Sequence, residues 1–346
     1  MVFVGDIAVP NGGKTNLNYL PECFKSGTIA NLEGCIIEDK VKGSLSLYNT
    51  QDALHIMKKM NVCCVSLANN HVLDEQDSFL YTKRALEENG ILYAGAGVTK
   101  EEAESFKTIE IEGEKYYFLT YAWNITGVSN KKKNKVQISI LNRKKILRQI
   151  KEIREEDSCS KIICWMHWGC ELELYPLPMD REFAHELIDV GAWAVVGCHT
   201  HCIQGAEIYK NRPIIYGLGN FYCPEDIFLG GELCYPEFAH EELAFEVSKD
   251  GYKCHWFYYD KEKDCIEYKG ETSIDSVELL QKTPYSGMDN KEYSKWFKKN
   301  RRKKKGIPVF YSYKNIISYA IKNKWMQVRG GIIRFLFKTG IKGGPV

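Results

Sequence analysis

The amino-acid sequence predicts an α/β fold. Three observations carry that expectation. Short apolar runs rich in β-branched residues each end in a polar cluster, amphipathic helical stretches lie between them, and two of those stretches stop at glycine. Ligands of open α/β sheets collect beyond the carboxyl ends of the strands, so clusters at four such ends point to one place.

Taken in order, MVFV precedes Gly5 and Asp6. DALHIMKKM reads as a helix, with Leu54, Met57 and Lys58 at i, i+3 and i+4. VCCVSL is a strand that precedes Ala68, Asn69, Asn70 and His71. SFLYTKRALEENG is a second helix whose glycine supplies the stop. KIICWM precedes His167, Trp168 and Gly169. DREFAHELIDVG is a third helix, with Asp180 expected as its N-cap. WAVVG runs into Cys198, His199, Thr200, His201 and Cys202.

RPIIYGLGNFYC, EELAFEVS and YKCHWFYYD read as further strands, expected in a second sheet. Beyond Glu271 the pattern turns mixed and basic. The expected division is a main domain over 1–270 and a basic C-terminal extension over 271–346 carrying an amphipathic helix. There Ile317, Ala320, Ile321, Trp325 and Val328 share one helical face. Packing of that face on the domain is expected, with an anionic bilayer as the rival occupant. Gly330 and Gly331 are expected to interrupt the helix.

A chain of 346 residues holds one large domain with an appendage, or two modest domains. With 44% hydrophobic and 27% charged residues, large-scale disorder is not expected. The opening residues do not read as a secretory signal, and no run approaches the roughly 18 apolar residues of a membrane span. A cytoplasmic location, peripheral at the membrane at most, is therefore expected. Thirteen cysteines without paired CxxC spacing point to reduced thiols rather than a zinc ribbon. Cys63, Cys64, Cys164 and Cys198 lie in apolar runs and read as small core residues.

The net charge is only +2, but KWFKKNRRKKK (295–305) holds eight Lys or Arg and leaves the rest of the chain near −6. Such a block is a solvated linker, or it meets a phosphate-rich partner or an anionic membrane. One short block without a recognition motif does not point to nucleic acid.

The chemistry lies at the strand ends. Asp6, Glu33, Asn70, His71, His167, His199 and His201 form a mixed oxygen and imidazole set. That set suits zinc, manganese or iron as one or two divalent ions. Two imidazoles one residue apart can diverge toward two ions, and a carboxylate, here Glu33, can bridge them. Ions about 3.5–4 Å apart can clamp an in-line displacement at phosphorus. A lone histidine is more often a structural hydrogen-bonding group. A local Cys/His knot through Cys198 and Cys202 is the lesser alternative, because no second cluster completes it. His55 and His185 read as helix surface or packing, and His240 and His255 receive no role.

GDIA, NLEG, LANNHVLDE, YAGAG, HWGCELELYP, AHELIDVGAWAVVGCHTHCIQGAEIY and RPIIYGLGNF occur here in the order of the CapA family. Over roughly residues 1–250 the chain resembles these capsule and poly-γ-glutamate biosynthesis proteins, relatives of the calcineurin-like metallophosphoesterases. The resemblance implies a four-layer α-β-β-α sandwich with the site at the loop edge of two sheets. It implies one ion on Asp6, Glu33 and His201, and another on Glu33, Asn70, His167 and His199. His71 matches the catalytic histidine, and Asp74 either orients it or caps the following helix. Glu171 is a candidate for substrate contact or for supporting a ligand, with a plain surface acid as the alternative; Asn220 reads first as a turn residue, with substrate contact as the alternative; Gln204 and Glu207 are weaker.

The implied reaction is hydrolysis of a phosphoester, or an amide, by a metal-activated water with His71 as the acid. The implied partners are an anionic polymer or phosphoester substrate and a polymer synthesis complex. Ala8 stands where the wider superfamily has a histidine, so one ion site loses a ligand. A non-catalytic subunit that binds metal or polymer is therefore the alternative. Family members commonly carry an N-terminal membrane anchor, which the opening residues do not resemble.

Overall fold

The computed structural model describes residues 1–9, 15–38, 46–126, 128, 134–225, 234–302 and 306–338. The apolar strand Val2–Ile7 is buried along its whole length, and a nine-stranded sheet forms around it. Thr28–Leu32, Val62–Ser66 and Leu92–Ala94 add in parallel on one edge. Parallel neighbours need crossovers. The helix Asp52–Lys59 makes one, burying Ala53, Ile56 and Met57. The helix Phe79–Glu88 makes another, burying Phe79, Ala85 and Leu86 and ending just before Gly90 at φ +68°. On the other edge, Glu241–Ser248 pairs antiparallel with the start of Val2–Ile7. Asn220–Tyr222 pairs parallel with its end.

A six-stranded sheet faces the first. Its core is three parallel strands, Glu114–Ala122, Lys161–His167 and Ala194–Cys198, followed by Arg212–Leu218. Phe3 and Ile29 of the first sheet pack with Phe118, Trp165 and Val196 of the second in one shared cluster. Phe3 and Trp165 meet edge to face with ring centroids 6.2 Å apart. Full burial of side chains this size contributes roughly 1.5–3 kcal/mol each. The helices Arg143–Glu156 and Pro178–Asp189 cover the outer face of the second sheet through Ile146, Ile150, Phe183 and Leu187. The layers therefore run helix, sheet, sheet, helix, as the family resemblance implied. Tyr285, Tyr293, Phe297 and Phe310, all beyond residue 271, join that outer cluster.

Several local expectations are corrected. The late strands do not form a sheet of their own. Arg212–Leu218 belongs to the six-stranded sheet, whereas Glu241–Ser248 and Gly251–Asp260 extend the nine-stranded one. Asp180 is no N-cap: Leu177 holds that position, and Pro178 opens the helix. Asp180 lies buried inside the first turn and accepts a hydrogen bond from the Tyr313 hydroxyl at 3.0 Å. Lys58 points to solvent, because the buried stripe of its helix runs through Ile56 and Met57.

The C-terminal helix Ile316–Lys338 is continuous through Gly330 and Gly331. Its predicted stripe does not pack on the domain. Ile317, Ile321 and Trp325 are 76%, 66% and 49% exposed, while Tyr319 and Met326 on the opposite side make the contact. Lys303, Lys304 and Lys305 of the basic block lie outside the described residues.

Candidate metal centre

Strand register builds one half of the site. Asp6 sits level with Asn31 on one neighbour and with Asn220 on the other. Strict alternation from Phe3, which faces the second sheet, would turn Asp6 toward the outer helices. A register shift between Phe3 and Asp6 breaks that alternation, as β-bulges do. Asp6 instead meets residues of the second sheet. Its Oδ2 accepts from the His199 backbone N–H at 3.3 Å and lies 3.4 Å from His201 Nδ1. The Asn31 amide donates to Asp6 Oδ1 at 2.8 Å and to Glu33 Oε2 at 3.0 Å, spacing two buried carboxylates.

The chain itself stitches the sheets together here. After Arg212–Leu218 it crosses at Gly219, φ +80°, and continues as Asn220–Tyr222 beside Asp6. A Cβ on Gly5 would lie 1.9 Å from the Gly219 carbonyl oxygen, so this crossing requires glycine at position 5.

The other half comes from the facing sheet and from the turn after Val62–Ser66. His167 ends its strand level with Cys198, whose sulfur lies 3.3 Å from His167 Nδ1. His167 Nε2 lies 2.8 Å from Asn70 Oδ1 and 3.8 Å from Glu33 Oε1. Ligand atoms of Glu33, His167 and His199 fall within 4.8 Å of one another, and so do those of Asp6, His167 and Cys198. His199 and His201 hold left-handed backbone at φ +87° and +51°. Such geometry costs on the order of 1–3 kcal/mol per residue and persists where surroundings enforce it.

The electrostatics of the cluster are dominated by burial of its ionisable groups. Burial pushes the Glu33 carboxyl well up, and the nearby charges of Asp6 and Glu171 add to this. Burial also raises Asp6, against the opposing pull of His201 and Asn31. Burial holds His167 well below the ordinary imidazole range, and His199, His201 and His71 push the same way. Glu33 Oε1 is buried with no hydrogen-bond partner among the described residues. A buried carboxylate oxygen facing a neutral imidazole and an amide oxygen fits a divalent ion of borderline hardness.

His71 stands at the rim, in the short turn His71–Leu73. Its Nδ1 lies 2.7 Å from Asp74 Oδ2 and its Nε2 3.9 Å from Glu33 Oε1. Asp74 thus orients His71 and also accepts from the Leu47 backbone N–H; it does not cap the next helix, whose N-cap is Ser78. Asn220 Oδ1 lies 2.8 Å from His201 Nδ1, which makes it a holder of that ring. Glu171 is exposed. Gln204 and Glu207 lie elsewhere. Gln204 donates to the Glu173 carbonyl, and Glu207 makes a buried two-pronged pair with Arg181. Ala8 packs with Leu47 and Cys223.

Three residues near the site were missed in the sequence, and a fourth was read only in part. Asn31 sits two positions before Glu33, on the same side of the strand, and that spacing was the available signal. Asn69 is buried and ties the Leu32 carbonyl to the Val72 N–H. Cys198 was read as core, with a Cys/His knot as the lesser alternative; it is buried in the core, and its sulfur also touches His167. Tyr235 stands with its ring 5.3 Å from that of His201, brought there by no local pattern. His240 and His255 do have partners, Glu225 and Glu246, each at 2.8 Å or less. None of the thirteen cysteines forms a disulfide.

Comparison with known proteins gives the family. The chain is 25% identical over 185 residues to the capsule biosynthesis protein CapA of Bacillus anthracis, covering 53% of this chain and 45% of that protein. It is 25% identical over 240 residues to the PGA biosynthesis protein CapA of Bacillus subtilis (strain 168), covering 63% and 62%. The chain thus spans about half to three fifths of the length of these curated relatives. A 5'-nucleotidase structure from Candida albicans SC5314 aligns over 86% of this chain and 57% of its own, at 9% identity and a TM-score of 0.44. The model of the bacterial capsule synthesis protein PGA_cap matches residues 3–225, the span holding every predicted site residue, and the chain belongs to that family.

Proposed function

We propose that this chain is a metal-dependent, hydrolase-like protein of capsule, exopolysaccharide or poly-γ-glutamate synthesis. Its substrate would be a phosphoester, or an amide, of the anionic polymer or its precursor, handled within a polymer synthesis complex. The observation that carries the reading is the orphaned, buried Glu33 Oε1, 3.8 Å from His167 Nε2. Family membership supports the biosynthetic setting.

Glu33, Asn70, His167 and His199 would hold one ion of manganese, iron or zinc, and Asp6 and His201 stand beside it for a second. A bound divalent ion supplies Lewis-acid activation of water and of the substrate's phosphoryl group. The remaining work falls to the chain. Asn31 keeps the carboxylates of Asp6 and Glu33 apart and aimed. Asn220 fixes the His201 ring. Asp74 holds His71 Nδ1, leaving Nε2 to carry a proton toward the leaving group, a role worth roughly 10²–10⁴-fold.

A second reading, a non-catalytic metal- or polymer-binding subunit, is favoured by Ala8, which fills its position with apolar contacts. One experiment separates the two. Purified protein is loaded with manganese, iron or zinc and assayed on a generic aryl phosphate. The hydrolase reading expects turnover that His71→Ala abolishes without loss of bound metal. Metal uptake without turnover in the wild type selects the subunit reading, and absence of metal uptake ends the hydrolase reading and the metal-binding form of the subunit reading.

A further inference from the structure

The helix Ile316–Lys338 packs on the outer cluster of the six-stranded sheet through one face and leaves the other largely exposed. Tyr319 and Met326 pack on the outer cluster of the six-stranded sheet. The Tyr319 hydroxyl accepts from the Trp123 indole at 2.8 Å. Lys322 donates to the Val309 carbonyl at 2.8 Å, and the Trp325 indole donates to the Gly306 carbonyl at 2.7 Å. These contacts fix how the helix lies on the molecule.

The other face carries Ile317, Ile321, Trp325, Val328, Ile332 and Phe335, between 45% and 76% exposed. At 100° per residue all six fall within an arc of about 80°. An apolar stripe of this length on the outside of a chain marks a contact surface. The backbone makes the same point. Gly330 and Gly331 sit inside a helix that continues for seven further residues. Glycine is the poorest helix former after proline, so this half of the helix gains stability if its exposed apolar stripe is covered.

Charge selects the occupant. The segment 316–338 contains five Lys or Arg and no Asp or Glu. It follows the basic block 295–305, which has no acid either. A second copy laid stripe to stripe would bring these cations together. An anionic bilayer accepts both the apolar stripe and the cations around it, the pattern of helices that lie in the membrane interface. No helix among the described residues is long and apolar enough to cross a membrane. We propose that Ile316–Lys338 docks this protein flat on an anionic lipid surface through the stripe from Ile317 to Phe335.

The test uses the full chain and vesicles of phosphatidylcholine alone or with 30% phosphatidylserine. We expect co-sedimentation with the anionic vesicles at least tenfold above that with neutral ones, weakened by high salt. Ile317→Glu with Ile321→Glu should remove at least nine tenths of it, and the leucine pair at the same positions should restore it. Both isoleucines are largely exposed, so the melting temperature should not move. Turnover of a soluble aryl phosphate should not move either, which keeps failure here distinct from failure of the hydrolase reading. Lack of anionic-vesicle binding, binding unaffected by the glutamate pair, or a solution dimer dispersed by that pair would each overturn the proposal.

Discussion

His167 Nε2 and Asn70 Oδ1 lie 2.8 Å apart, although each is carried on a different sheet. Asn70 follows a strand of the nine-stranded sheet, and His167 ends one of the six-stranded sheet. The candidate centre is therefore a junction between layers. Whatever occupies it ties the two sheets together.

Metal should stabilise the fold. Chelator-treated protein is expected to melt below metal-loaded protein. The difference should reach about 2.7 kcal/mol when free metal stands a hundredfold above its dissociation constant. Glu33→Gln and His167→Ala should each lose that increment. Calorimetry with elemental analysis checks it, and equal melting with and without metal in the wild type would count against the site.

His71 and Asp74 should differ in degree. If the chain hydrolyses aryl phosphates, His71→Ala is expected to lower kcat by about 10²–10⁴-fold. Asp74→Asn keeps the ring but removes the charge that orients it, so a smaller loss, about tenfold, is expected. Steady-state kinetics on metal-matched samples decides. A larger loss for Asp74→Asn than for His71→Ala would contradict the roles given.

Gly5→Ala should be among the costly surface-silent changes, because its methyl would meet the Gly219 carbonyl at 1.9 Å. We expect a loss of about 3 kcal/mol, the upper end of overpacking. Gly90→Ala is the control. A Cβ there meets nothing within 4 Å, so only the positive φ is penalised, at about 1 kcal/mol. Urea unfolding midpoints compare the two.

Asp180 should impose a pH slope on stability. Burial pushes its carboxyl up to about 8, the Tyr313 hydrogen bond only partly opposing it. Unfolding returns the group to roughly 3.9. The folded chain therefore binds this proton more tightly, and its stabilisation is complete below about pH 4 and lost as pH rises through about 8. Between pH 5 and 9 the wild type should lose melting temperature relative to Asp180→Asn. Parallel curves for the two proteins would refute the assignment.

Much of the strand and helix plan was legible because it rests on local pattern, whereas the four layers came from the family resemblance. The runs MVFV, VCCVSL, KIICWM and WAVVG all became buried strands, since short apolar β-branched runs have few other stable fates. Helix stripes were read less well where one residue decides the face, as Lys58 shows. The C-terminal stripe was seen correctly as a stripe, but periodicity cannot tell a face packed on protein from one left open.

By itself, then, the sequence determined the α/β class, the strand ends and the cluster of oxygen and imidazole side chains, because residue type and spacing are local properties of the chain. Only the tertiary structure decided that Asp6 turns inward, that Asn31 spaces two carboxylates, that Cys198 meets His167 and that Asp74 serves His71. Each of those depends on strand register, on a crossing at Gly219, or on two sheets closing over one another. The reason is physical. Those contacts join residues far apart in the chain, and their geometry follows from the packing of whole layers rather than from any window of sequence.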